Sequence, residues 1–343
     1  MQLIVLGLNH KTAPVEIRER FNFSQDRTVR VLRRLRNNDN LNETVLLSTC
    51  NRTELYMVLE DPAAGLHFIR TLLRHLAGEQ YKPDYFYNLT GINCVRHLFK
   101  VASSLDSLII GEGQILSQIK NAYHLSRSCG MTDTLFNTLF NRAIAVGKRV
   151  RTETKIAYSS VSVSSAAVDL AIDVVGDLTK ANILVLGAGR MSELTARHLI
   201  DKGAKTIFVS NRNLSHAQEL AEKFNGTAIP YNEFMHQAIT SDIIITSTGA
   251  PHYVITEQGV RDIIPKRSGK PLILVDIAVP RDVDPLVGDI EGVTLYNIDD
   301  LEGVVDMNKN FRSSEAKVAQ AIIDKEITAL KERLRYLTIR PVM

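Results

Sequence analysis

Cys50 is the first residue that invites a chemical reading. It lies in Ser48-Thr49-Cys50-Asn51-Arg52-Thr53-Glu54, a polar turn between an apolar stretch and an alternating one, which is not the setting of a core cysteine. The thiolate is the nucleophilic form and a free cysteine titrates at about 8.5, so a reactive thiol needs a nearby cation or a turn rich in N–H groups. Arg52 is near enough in sequence to be that cation. The competing reading is a small inert residue in a strand turn, and position alone favours it. Cys94 and Cys129 fall within or at the end of helical runs and read as structural. Among the nine histidines, His10 ends a first apolar run and His97 sits in a helix beside SSLDSLIIGEGQ. Either is a proton carrier if it stands near the thiol, because imidazole titrates near neutrality.

A second chemical signature is Gly187-Ala188-Gly189-Arg190-Met191-Ser192. It follows the apolar run ILVL and opens a helical pattern. Glycines there let the chain turn tightly and let backbone N–H groups approach a pyrophosphate at a helix N-terminus. The next strand ends in Ser210-Asn211-Arg212-Asn213, not in the acid that would take a ribose diol, and this suits the 2′-phosphate of NADP. Thr246, Ser247, Thr248 and Gly249 end a later strand at its carboxyl edge, the place for the nicotinamide side.

The elements that must position these groups follow from periodicity. Strands are expected at Leu3–Leu8, Thr44–Leu47 and Glu54–Leu59, with a basic amphipathic helix over Asp26–Arg36 that carries Val29, Leu32 and Leu35 on one side and five arginines elsewhere. Helical spacing resumes from Ile92, again over Gln114–Ser126 and Leu135–Arg151, with a turn at SSLDSLIIGEGQ between. From Asn182 the order strand, glycine turn, helix, strand opens a doubly wound parallel sheet, with further strands at Asp242–Thr246, Leu272–Val275 and Thr294–Tyr296. A polar helix over Asp306–Leu337, apolar at Val318, Ile322, Ile327, Leu330 and Leu334, precedes the final RPVM. The fold class is therefore α/β: an N-terminal α+β domain (1–158), in which the candidate thiol Cys50 lies, a Rossmann-type domain (159–300), and a long linking helix (301–343).

Composition bounds the rest. The chain has 343 residues, enough for more than one core, with 45% hydrophobic and 23% charged residues and no biased tract. A net charge of +3 permits a nucleic-acid partner without demanding one. Three cysteines without CxxC spacing point away from a disulfide framework and from structural zinc, and toward a reducing cytoplasm. The start MQLIVLGLNHKTAP reads as a strand rather than a signal peptide, and no apolar window is long enough for a membrane helix.

In order along the chain, GLNHKTAPVEIRER, LLSTCNRTELY, SLIIGEGQILSQIK, KRVRTET, VLGAGRMSE and VDIAVPRDVDP resemble the glutamyl-tRNA reductase family. The resemblance implies an NADPH-dependent enzyme that reduces glutamyl-tRNA(Glu) to glutamate-1-semialdehyde and releases the tRNA. That is the first committed step toward 5-aminolevulinate and tetrapyrroles. It implies Cys50 as the thioester-forming nucleophile and His97 as a residue important for activity. Thr49, Asn51, Arg52, Ser107, Glu112, Gly113, Gln114 and Gln118 would bind the substrate, with Arg52 pairing with its carboxylate. Gly187, Ala188, Gly189, Arg190, Met191 and Ser192 would hold NADPH, with Ser210, Asn211 and Arg212 beyond them. The family commonly has proline where this chain has Gly113 and an acid where it has Arg190. Family members usually continue into a helical dimerisation domain, which is expected to be shortened or missing here. A glutamate-1-semialdehyde aminomutase and a second copy of the chain are the implied protein partners. Two other readings stand beside this one. The first is a non-catalytic RNA-binding protein, suggested by the arginines of 27–36 and by Lys148-Arg149-Arg151. The second is a dehydrogenase of a small metabolite such as shikimate, which leaves Cys50 idle.

Overall fold

The computed structural model describes residues 1–78, 81–157, 163–301 and 309–339. They fall into two compact units, one built from the chain up to residue 160 together with the segment from 308 onward, the other from residues 161–307. The boundary expected near residue 158 and the terminal RPVM lie outside the described residues.

The first unit runs β1 (Gln2–Asn9), α1 (Val15–Arg18), α2 (Gln25–Leu35), β2 (Leu41–Ser48), β3 (Arg52–Leu59), α3 (Pro62–Ala77), β4 (Tyr87–Thr90), α4 (Gly91–Ala102), α5 (Ile115–Ser128) and α6 (Thr134–Glu153). Its four strands form an antiparallel sheet in the order β2-β3-β1-β4. Side chains alternate across a strand, so the sheet divides its apolar residues between two cores. Ile4, Leu6, Leu8 and Met57 pack with Phe21, Leu32 and Leu35 on one side, and Val5, Tyr56 and Val58 with Leu98, Phe99 and Phe140 on the other. Because both faces are covered, β1 to β3 read as nearly unbroken apolar runs. Strand β4, with its half-exposed YNLT, carries too short a pattern to be recognised in the sequence.

Helix starts follow their caps. The Ser24 hydroxyl accepts from the Arg27 amide at 3.3 Å at the head of α2. Asp61 accepts from Ala63 and Ala64 ahead of α3, whose first residue is Pro62. Such side chains satisfy amides that have no partner within the helix.

The second unit contains α7 (Val163–Val175), β5 (Asn182–Leu186), α8 (Arg190–Asp201), β6 (Thr206–Ser210), α9 (Leu214–Lys223), β7 (Thr227–Ile229), α10 (Phe234–Ala238), β8 (Ile243–Thr246), α11 (Glu257–Ile263), β9 (Leu272–Asp276) and β10 (Val293–Asn297). All six strands are parallel, in the order β10-β9-β8-β5-β6-β7. The chain winds outward from β5 to β7 and then returns to β8, so the order reverses between β5 and β8. Ligands bind at the carboxyl ends of strands at such a switch point.

The long α12 (Lys309–Ile339) belongs to the first unit, burying Ala319, Ile322, Ile323, Ile327 and Leu330 in the core of α4 and α6. Val318, expected on the apolar stripe, is instead 49% exposed, and the Leu334 side chain lies outside the described residues. The stripe begins one residue later, at Ala319. Glu326 forms an ion pair with Arg142 at 2.5 Å and accepts from Arg149 at 2.8 Å, and Arg149 also pairs with Glu153 at 2.7 Å. Among the described residues no helix is long and apolar enough to cross a membrane.

Candidate active site

Cys50 stands half-buried in the turn between β2 and β3. Thr49 closes that turn. Its amide donates to the Arg52 carbonyl at 2.8 Å, and its hydroxyl accepts from the amides of Asn51 at 3.2 Å and Arg52 at 3.1 Å. From α1 the Arg18 guanidinium donates to the Cys50 carbonyl at 2.7 Å and to Asn51 Oδ1 at 3.1 Å, and it is anchored in turn on the Ala13 carbonyl at 3.1 Å. Arg18 is the cation acting on the thiol, a role the sequence reading gave to Arg52. His10 abuts the same turn, donating its amide to the Asn51 carbonyl at 3.0 Å. Burial first, and then the charges of Arg52 and Lys11, push its imidazole down to about 4, so it is neutral at physiological pH.

The thiol is not activated in the free protein. Burial, reinforced by the negative field of Glu112, pushes Cys50 up to about 12, against the opposing pull of Arg18 and of the backbone amides of Cys50 and Asn51. Glu112 is itself raised by burial, with Arg151 and Arg52 acting the other way. Cys94 is wholly buried in α4, and Cys129 caps α5 against the second apolar core, as their positions in the sequence suggested.

Arg52 points inward. It is 2% exposed and pairs with Glu54 at 2.5 Å, while its two terminal nitrogens each lie 3.3 Å from Asp106 Oδ2 and one also meets the Asp106 carbonyl. Glu54 is the hub of this network. Its Oε1 accepts from Arg52, from the Tyr87 hydroxyl at 2.5 Å and from His97 Nε2 at 2.8 Å, and its Oε2 accepts from the Tyr56 hydroxyl at 2.6 Å. Burial alone would raise this carboxyl, but Arg52, His97 and the hydrogen bonds hold it far below the usual carboxylate range. Gly7 on β1 makes room for it, since a Cβ there would lie 2.8 Å from Glu54 Cγ. His97 Nδ1 lies 3.9 Å from Asp106, whose carboxylate also binds Lys11 at 2.5 Å.

The segment 103–114 supplies the other expected substrate residues. Arg151 of α6 holds it by donating to the carbonyls of Glu112 and Gly113, the latter at 3.0 Å. Gly113 is exposed, Gln114 caps α5, and the buried Ser107 hydroxyl has no hydrogen-bond partner among the described residues. Gln118 sits one turn further along α5, in the wall of an open groove of about 590 Å³ whose floor includes Leu46 and Ser48 of β2.

In the second unit a cavity of about 130 Å³ opens at the switch point. Gly187, Ala188, Gly189, Ser210, Asn211 and Arg212 line it, as expected, together with Ser247, Thr248 and Gly249 and with Tyr231 and Val254, which sequence reasoning missed. These residues fit NADPH. Gly187 has φ +112°, and a Cβ on it would stand 2.9 Å from both Ser192 Oγ and the Ser247 carbonyl. At Gly189 a Cβ would meet nothing within 4 Å, leaving open space above the helix N-terminus. Ser210 Oγ is buried with no hydrogen-bond partner among the described residues, and Arg212 lines the same cavity. Ser192 is fully buried and shares a 2.7 Å hydrogen bond with Ser247, so it packs the loop. Arg190 and Met191 do not line the cavity: Arg190 projects from the first turn of α8, and the Met191 carbonyl accepts from Ser164 at 3.2 Å. Thr246 turns inward to Asp276 at 2.8 Å. Asp276, pushed up to about 7 chiefly by burial, and Asp282 tie the carboxyl ends of β8 and β9 together through Thr246 and Thr248.

Comparisons with known proteins agree with this division. The family model "Glutamyl-tRNAGlu reductase, N-terminal domain" matches residues 6–154, and "Shikimate / quinate 5-dehydrogenase" matches residues 169–304. The chain is 44% identical over 346 residues to the glutamyl-tRNA reductase of Trichlorobacter lovleyi, covering 100% of this chain and 80% of that protein. With that of Brevibacillus brevis it is also 44% identical over 346 residues, covering 100% and 76%. The solved glutamyl-tRNA reductase of Methanopyrus kandleri is similar at 36% identity with a TM-score of 0.52, covering 98% of this chain and 81% of that one. Identity of this extent along the whole chain places it, with its thiol turn and its dinucleotide loop, among NADP-dependent oxidoreductases. The chain belongs to the glutamyl-tRNA reductase family.

Proposed function

We propose that the chain reduces glutamyl-tRNA(Glu) to glutamate-1-semialdehyde through a thioester on Cys50. The observation that carries this reading is the setting of Cys50: a half-buried cysteine at a strand turn, its carbonyl held by the cation Arg18 and its thiol within the opposing fields of Arg18 and Glu112. A glutamyl ester on tRNA is already activated. Sulfur attack on its carbonyl carbon forms the C–S bond, the bond to the ribose oxygen breaks, and the thiol proton ends on that oxygen as the tRNA departs.

Substrate binding itself activates the thiol in this scheme. The α-ammonium of the glutamyl group, paired with Glu112, cancels the field that holds the Cys50 proton, while Arg18 and the turn amides favour the thiolate. The side-chain carboxylate of the substrate displaces Asp106 from the fork of Arg52, a geometry suited to two parallel hydrogen bonds. Thr49 and Asn51 keep the turn closed, Ser107 offers a hydroxyl with no partner among the described residues, Gly113 and Gln114 lead into α5, and Gln118 lines the open groove beside β2. His97 acts through Glu54 and Asp106, orienting Arg52. Gly187–Gly189 would hold NADPH, with Ser210 and Arg212 at its 2′-phosphate, and the bound cofactor would supply the hydride to the thioester carbon, the C–S bond breaking to leave the aldehyde and return Cys50 as the thiolate.

A homodimer and an aminomutase that accepts the reactive aldehyde complete the proposal. The test is NADPH oxidation with glutamyl-tRNA. The Cys50→Ser variant should lose it, and normal turnover by that variant refutes the covalent route.

A further inference from the structure

Two arginine-rich features stand out in the first unit, and the structure treats them differently. Arg149 and Arg151 are consumed internally, on Glu153, Glu326 and the carbonyls of Glu112 and Gly113. The arginines of α2 are not. Arg30, Arg33, Arg34 and Arg36 are exposed and carry no ion pair among the described residues. An unpaired basic helix commonly does no more than stay solvated, so its surroundings must decide.

Those surroundings are the open groove of about 590 Å³ between α2 and α5. It begins at Ser48, two residues before Cys50, and follows α5 away from the thiol past Gln118 and Asn121 to Ser128. Ten residues of helix give it a length of about 15 Å. Its walls bear amides, hydroxyls and the His124 imidazole beside Phe23, whose ring already carries the Arg27 guanidinium 4.8 Å from its centre. Gln25 and Thr28 line the groove from α2, and the helical repeat brings Arg36 round to nearly the angle of Gln25 with Arg33 next to it toward solvent, so both charges lie beside the groove without lining it. The Arg36 guanidinium lies 3.7 Å from where a Cβ would sit on Gly130, just past the end of α5.

We propose that this groove receives the unpaired 3′ end of the tRNA, its bases against the amide and aromatic lining and its phosphates on Arg33 and Arg36. The inference rests on the reading of Cys50 as the group that attacks the ester. The ester must reach Cys50 on the terminal ribose of a single strand, and the groove offers what such a strand needs: positive charge beside it for the backbone, the exposed His124 imidazole to stack on, and hydrogen-bonding groups for base edges.

The test is binding of uncharged tRNA to the full chain across a salt series, which needs neither Cys50 nor NADPH and so succeeds or fails separately from the thioester. Removing two phosphate contacts in Arg33→Gln/Arg36→Gln should make the slope of log affinity against log salt shallower by about one to two and lower the affinity at least about tenfold at 0.1 M salt. Arg33→Lys/Arg36→Lys, which keeps both charges, should recover most of it. Asn121→Ala/His124→Ala should weaken binding with the slope unchanged, since it removes base contacts and no charge. Wild-type affinity and slope in the Gln pair overturn the proposal. So does an equal loss of binding to heparin with unaltered KM for glutamyl-tRNA, which marks a surface for any polyanion.

Discussion

Replacing Glu54 by Gln keeps the shape of a fully buried side chain and removes the charge on which Arg52, His97, Tyr56 and Tyr87 converge. Arg52, only 2% exposed, would keep Asp106 as its remaining ion-pair partner among the described residues. Breaking a buried ion pair from one side costs about 3–5 kcal/mol, because the remaining charge stays desolvated. Asp106 is partly exposed and still compensates, so the low end, about 3 kcal/mol, is expected. For a unit of this size each kcal/mol lowers Tm by about 2–4 °C, giving a fall of about 6–12 °C. The carboxyl is depressed in the folded state, so its contribution is complete above the unfolded carboxylate pKa of about 4.3 and is lost as the pH falls below it. Thermal unfolding from pH 7 to pH 3 should therefore show wild type and variant converging toward acid. A Tm loss under about 2 °C at pH 7, or a gap that does not narrow on acidification, would refute the hub role.

Three further outcomes follow from the two sites. Glu112→Gln removes the carboxylate that helps raise Cys50, so iodoacetamide labelling of that thiol near pH 8 should accelerate several-fold; slower or equal labelling contradicts the field between them. Gly187→Ala puts a Cβ 2.9 Å from Ser192 Oγ and the Ser247 carbonyl at φ +112°, and should cost about 1–3 kcal/mol of stability and weaken NADPH binding measured by fluorescence titration; unaltered binding and Tm would show that the loop need not hold this turn. Arg212→Ala should lower NADPH affinity by about 10-fold or more and leave NADH affinity within about twofold; equal losses for both would remove Arg212 from the 2′-phosphate.

The parallel sheet was legible because its signals are local. A buried apolar strand, a glycine turn and a helix follow one another within twenty residues, and Ser210 to Arg212 end the adjacent strand. The thiol turn was legible as a turn but not as a site, because what surrounds Cys50 comes from distant segments. Arg18 reaches it from α1 and Glu112 from the loop before α5, and neither follows from spacing. Arg52 misled for the same reason: proximity in sequence suggested the thiol, whereas the alternation of β3 turns it with Glu54 and Tyr56 into the core. One clue was available. Glu54 shares its phase with Arg52, Tyr56 and Val58 on one face of β3, and a carboxylate placed among buried residues requires buried partners.

The most direct test of the thioester is to mix the protein with glutamyl-tRNA in the absence of NADPH, quench in acid, and examine the peptide carrying Cys50 by mass spectrometry. A glutamyl adduct on that cysteine, cleaved by hydroxylamine and absent with uncharged tRNA, is the expected result. An unmodified Cys50 in protein that goes on to form the semialdehyde when NADPH is added would contradict it.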